Sequence, residues 1–177
     1  MTRTGGTLQA AAELAGGHRW IELQIFETAG GWVAQTHETR AKLLLDRHSG
    51  HAAWRAGEWA SRLPVVAAID PAVVVRPPTK GWARGFEALA ATEGTLARLA
   101  GLYRLIVPRL ATRYRAHSAT AEPSAEGAAR RALALALADL SRDRDEGDDL
   151  LEVLMADAAA VAAAAAALSR IECALVE

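Results

Sequence analysis

A chain of 177 residues is about one domain's worth and long enough to bury a core. Lys and Arg number 20 against 21 Asp and Glu, so the net charge is -1 and there is no global electrostatic pull toward nucleic acid or an anionic membrane. A lone cysteine, Cys173, excludes an intrachain disulfide, and the opening MTRTGGTLQAAAELAGG has no apolar signal core, so a protein of the reducing cytoplasm is expected.

Aromatics are only 5% of residues, and β-branched residues gather only in PVVAAIDPAVVVRPP. Good helix formers fill the rest, which predicts an all-α fold in a single domain, 1–177. The first helix is expected from about His18 to Gln35, after a short lead-in from Leu8 to Ala15 that Gly16 and Gly17 interrupt. The second starts near Thr36 to Glu38 and ends at Leu63, before Pro64; its closeness to the first forces an antiparallel hairpin.

Pro64 to Lys80 carries four prolines and reads as an extended connection, with a strand-like piece at Val73 to Val75 as an option. A third helix is expected from Gly81 toward His117, kinked or split by Pro108. The fourth opens around Ser124 and reaches DRDEGDD; the pattern fits both a break at Gly147 and continued helix. The apolar run Ala158 to Leu168 is eleven residues, where a membrane span needs about 20. An Ala-rich C-terminal helix, about 148–175, is therefore expected against a core bundle of about 17–147, either packed internally or forming a homodimer seam.

The connection constrains topology. The second helix, 26 residues from Glu38 to Leu63, is roughly 39 Å long, and the 17 residues from Pro64 to Lys80 reach about 56 Å when extended. The chain can return along the whole bundle and make the second and third helices parallel. A short hop with a folded linker also satisfies the length.

Polar residues on inward faces come next. Glu22 sits in the apolar stripe of the first helix among Ile21, Ile25, Phe26, Ala29, Trp32 and Val33, and His18 shares its face. A buried carboxylate costs several kcal/mol unless it is paired or bound to a cation. Glu22 therefore reads either as a metal ligand or as a member of a buried network with an arginine or histidine. On the second helix, His48, His51, Arg55, Glu58 and Arg62 form a polar stripe beside an apolar one, and the hairpin puts His51 level with Glu22. The histidine pair reads equally as an ordinary solvated flank. A parallel third helix brings Glu93 to that level, with Tyr103 also inward, and on the fourth Asp139 and Asp143 are the nearest acids, their face continued by Glu146.

This constellation resembles the ferritin-like superfamily of non-haem carboxylate proteins over about Gly17 to Gly147. The family pattern is Glu on the first helix, Glu-x-x-His on the second, Glu on the third and Glu-x-x-His on the fourth. Glu22, His51 and Glu93 match. His48 stands where the second-helix Glu belongs, and DLSR supplies Asp139 and Arg142 where Glu and His are expected.

The resemblance implies an up-down four-helix bundle with a long crossover between the second and third helices. It also implies Fe or Mn, as one or two ions, on ligands drawn from Glu22, His48, His51, Glu93, Asp139 and Asp143; such ligands suit Zn as well. Tyr103 would stand nearby as a redox or hydrogen-bonding group. The implied activity is an oxidase or hydroxylase acting on an unidentified small molecule.

Arg142 cannot ligate a cation, which leaves open a single ion held by Glu22, His48 or His51 and Glu93, or a metal-free bundle used for binding or assembly. G-x-S-x-G, P-loop and Cys/His zinc spacings are absent. Arg98, Arg109 and Arg113 read as a solvated face of the third helix rather than a nucleic-acid strip. Neither a nucleic-acid nor a membrane partner is expected.

Overall fold

The computed structural model describes residues 8–124 and 126–176, and among them every regular element is helical. Residues 1–7, part of the stretch read as lacking a signal core, lie outside the described residues.

Helix α1 (Leu8–Val33) runs unbroken through Gly16 and Gly17, where the sequence suggested an interruption. Glycine costs about 1 kcal/mol in a helix interior, and packing decides the outcome here. A Cβ at Gly16 would lie 2.2 Å from the Val74 carbonyl oxygen, so the bare backbone is what admits the interhelix connection. Helix α2 (Thr39–Ala60) begins where the Glu38 carboxylate accepts from the Ala41 N–H, and it ends at Ser61, ahead of Pro64.

The proline-rich connection contains a one-turn helix α3 (Pro71–Val74) rather than a strand. Asp70 caps it by accepting from the Ala72 N–H at 2.9 Å, and Pro71 supplies the φ that a first helical turn needs.

The expected third helix is divided. Helix α4 (Lys80–Ala90) is capped by Thr79 and stops at Ala91. Helix α5 (Thr95–Ala100) leads through a π-helical segment (Gly101–Ile106) into α6 (Val107–Thr120). Pro108 explains the widened turn: it has no N–H and its ring crowds the preceding turn, and the Val107 N–H reaches back five residues to the Leu102 carbonyl.

Helix α7 (Gly127–Leu154) passes straight through Gly147, which settles that question. A Cβ at Gly147 would lie 2.3 Å from the Tyr103 ring, so the missing side chain seats the aromatic. The chain turns at Met155 to Asp157 into α8 (Ala158–Val176).

Side-chain pairs give the orientations. His18 is level with Trp59 and Glu22 with Arg55, so α1 and α2 are antiparallel. His48 meets Tyr103 and Trp59 meets Tyr114, equal steps in the same direction, so α2 and the π segment with α6 are parallel. Tyr103 faces Gly147 while His117 faces Glu126, so α7 returns antiparallel to α6. The core fills the space between them with Ile21, Leu45, Trp59, Leu102, Ile106, Leu110 and Leu133.

Helix α8 packs on α4 and α5. It buries Ala164, Ala167 and Ile171, and Leu175 sits where Gly81 and Gly85 have no side chains. At 19 residues and mean hydropathy 1.7, with 17% of its apolar window buried, it is long and apolar enough to cross a membrane by length and composition. The eleven-residue alanine run understated it, because Ile171, Ala174, Leu175 and Val176 continue the apolar character past Arg170 and Glu172.

Candidate metal centre

Helix α2 presents His48 and His51, one turn apart, to α7, which answers with Asp143 and Glu146, also one turn apart. Side chains three residues apart share a helix face, so each pair acts as a two-pronged unit. His51 Nδ1 is 2.7 Å from Asp143 Oδ1, and His48 Nε2 is 3.5 Å from the same oxygen and 3.2 Å from Glu146 Oε2. His48 and Asp143 are buried, whereas the side chains of His51 and Glu146 are 43% and 46% exposed. The cluster therefore has a closed inner end and an open outer one through which an ion can pass.

One ligand atom each from His48, His51 and Asp143 falls within 4.8 Å of the others. Bonds of about 2.1 Å place neighbouring ligand atoms about 3.0 Å apart in an octahedron and about 3.4 Å in a tetrahedron, so the three atoms lie near the spacing that a small divalent ion requires.

The supporting groups also fit. Tyr103 Oη lies 2.8 Å from His48 Nδ1, which fixes the imidazole and points Nε2 at the carboxylates. The Arg55 Nη1 group donates to Asp143 Oδ2 at 2.9 Å and leaves Oδ1 facing the histidines. Partners of this kind orient metal ligands and set their tautomers. Burial, then Asp143 and Glu146, push the Tyr103 pKa far up, so the phenol keeps its proton. Burial also lowers the His48 pKa, against the pull of Asp143 and Glu146, and favours the neutral imidazole that ligation requires.

Glu22 is not part of this cluster. Its Oε1 accepts from Arg55 Nε at 2.8 Å and from Tyr114 Oη at 2.6 Å, and α1 places it one helical turn away from the level expected. Burial pushes its pKa up, opposed by Arg55 and Tyr114. Glu93 is corrected more strongly. It is exposed in the turn between α4 and α5, because the break at Ala91 transfers the bundle position to α5 and the π segment. Tyr103 occupies the level at which Glu93 was expected. Asp139 is half-buried and pairs with Arg142 at 2.6 Å along its own helix, so neither reaches the histidines.

Arg55, on the polar stripe four residues after His51, is the arginine partner that the network reading of Glu22 allows, and it bridges Glu22 and Asp143. Two participants escape the sequence reading as site members. Tyr114 has no signal beyond its helix face. Glu146, seen only as continuing an acidic face, forms the i,i+3 pair with Asp143 and is also paired with Arg47.

A second polar layer lies deeper. Tyr114 Oη accepts from Trp59 Nε1 at 2.8 Å, the Trp59 ring packs on His18 at 4.6 Å, and His18 Nε2 lies 2.9 Å from His117 Nδ1. Burial, with Arg113 contributing, lowers both histidine pKa values. They are neutral in the fold but protonate in the unfolded chain below about pH 6.5, so the stability present above that pH is lost as pH falls. Urea midpoints of EDTA-treated protein are expected to drop between about pH 7.5 and about pH 5, with a smaller drop in His18→Gln. A midpoint independent of pH would mean that these rings are solvated.

Comparison with family models, with curated proteins and with solved structures finds no match to this chain.

Proposed function

We propose that this chain is a ferritin-like helical bundle that binds one divalent transition-metal ion through His48, His51 and Asp143, with Glu146 as a fourth ligand, and acts as a metal-dependent oxidase or hydroxylase. The observation that carries the reading is the convergence of two imidazoles and one carboxylate within 4.8 Å, from two antiparallel helices. Two histidines and one carboxylate are the donor set that leaves positions open on Fe(II), and Mn or Zn suits the same atoms. The antiparallel pairs and the parallel relation of α2 to α6 support the bundle assignment.

When bound, a redox-active ion would supply the electron transfer that these side chains cannot. The chain's own part is to hold and to orient. Arg55 fixes Asp143, Tyr103 fixes His48 through a phenol that keeps its proton, and the aliphatic core closes the inner side. Glu22, engaged by Arg55 and Tyr114, favours one ion over two.

A second reading has its own observation. Arg55 already bridges both Glu22 and Asp143, which is what a purely structural network would show. Elemental analysis after anaerobic reconstitution of tag-free protein with Fe(II) or Mn(II) separates the two. About one ion per chain in wild type and none in His51→Ala is expected. None in either would leave the metal-free bundle, and equal metal in both would place the ion away from His51 and reject this site.

A further inference from the structure

Arg113 differs from the arginines around it. Arg109 pairs with Glu172 at 3.6 Å, Arg104 with Asp148 at 3.3 Å and Arg76 with Glu13 at 3.9 Å. Arg113 is half-buried, its Nε is buried with no hydrogen-bond partner, and among the described residues no carboxylate lies within ion-pair distance of it. A guanidinium half withdrawn from water, with no carboxylate beside it, is held at a solvation cost that an anion placed against it would offset. The fold also makes room for it: a Cβ at Gly17 would stand 3.2 Å from Arg113 Nη2.

The space around Arg113 is shaped for a ligand. A cleft of about 500 Å³, between the start of α4, α6 and the end of α8, is lined by Trp82, Arg109, Thr112, Arg113, Ala116 and Leu175. That volume is within the range of small-molecule sites. One wall is cationic and hydroxylic; the other is an indole and a leucine. A planar guanidinium is matched to a carboxylate by two parallel hydrogen bonds, and an apolar body attached to that carboxylate would lie along the indole and leucine wall. Deeper in, His18 Nδ1 is fully buried and without a partner, close enough to Arg113 to feel its charge.

We propose that this cleft binds a small organic carboxylate, its anionic end on Arg113 with Arg109 beside it, and a short apolar body against Trp82 and Leu175. The site stands apart from the histidine and carboxylate cluster and does not depend on a metal.

The test uses the full chain after EDTA treatment, titrated calorimetrically with hexanoate, hexylamine and inorganic phosphate. Saturable binding of hexanoate alone is expected. It should weaken at least about tenfold in Arg113→Met, the cost of one lost bidentate pair, and stay unchanged in Arg131→Met on the far surface. Without ligand, Arg113→Met is expected to melt no lower than wild type, because it removes an uncompensated charge and keeps the apolar stem. No hexanoate binding, equal binding in Arg113→Met, phosphate binding as tight as hexanoate, or a large loss of unliganded stability would each overturn the proposal. Arg113→Lys, which keeps the charge and loses the fork, gives the same reading if the methionine variant does not fold: weakened hexanoate binding supports the site and unchanged binding rejects it.

Discussion

Arg55→Ala is expected to lower the unfolding free energy by about 3–5 kcal/mol, the usual cost of removing one partner from a buried ion network. Arg55 is almost fully buried and donates to Glu22 at 2.8 Å and to Asp143 at 2.9 Å. Burial alone would lower its pKa, but the two carboxylates more than reverse this, so it carries its charge at every working pH. Its removal strands two carboxylates inside the bundle, Glu22 with only Tyr114 and Asp143 with only the histidines. Each must then protonate or drag water inward.

Denaturant unfolding of the metal-free protein measures the loss. Adding Glu22→Gln to Arg55→Ala should recover part of it, since neighbours in one network are not additive. A single-variant loss below about 1 kcal/mol would place Arg55 among solvated ion pairs and remove the reason for calling the network buried.

Asp143→Asn has the largest expected effect on metal. The substitution keeps size and an oxygen near His51 while removing the charge, and losing a direct ligand should exceed the 10- to 100-fold typical of the groups behind one, so affinity should fall more than about 100-fold. An ion at about 100 times its dissociation constant stabilises the fold by about 2.7 kcal/mol. Wild type should therefore melt several degrees higher with excess Zn(II) or Mn(II) than with EDTA, and Asp143→Asn should show no difference. Arg55 would still hold Glu22, so the variant should fold. An equal metal-induced shift in both proteins would locate any binding elsewhere and remove Asp143 from the site.

How legible was this site beforehand? His48 and His51 could be found because their spacing is local, and three residues along a helix stay on one face whatever the rest of the chain does. Asp143 is one of two acids near their level on the fourth helix, and the pattern alone does not choose between it and Asp139. Glu93 is misplaced by any reading that carries the third helix unbroken past Ala90. The break after Ala90 and the π segment changed both the residue that faces His48 and the helix that carries it. Glu22 was read as buried and in want of a partner, which it is, but the choice between cation and arginine depended on a side chain 33 positions away.

The sequence by itself determined that the regular elements are helical, most of the residues that line the apolar stripes, though Phe26 is exposed, and that α1 and α2 form a hairpin, because propensity, periodicity and short connections act over a few residues. Tertiary structure decided what glycine and proline mean in each place. Gly16 and Gly147 lie within helices because a carbonyl and an aromatic ring fill the room they leave, and Pro108 widens the preceding turn rather than ending the helix. It also decided which acid faces which cation. Burial makes each such pairing worth several kcal/mol, yet the partners come from separate helices whose relative height no local pattern records.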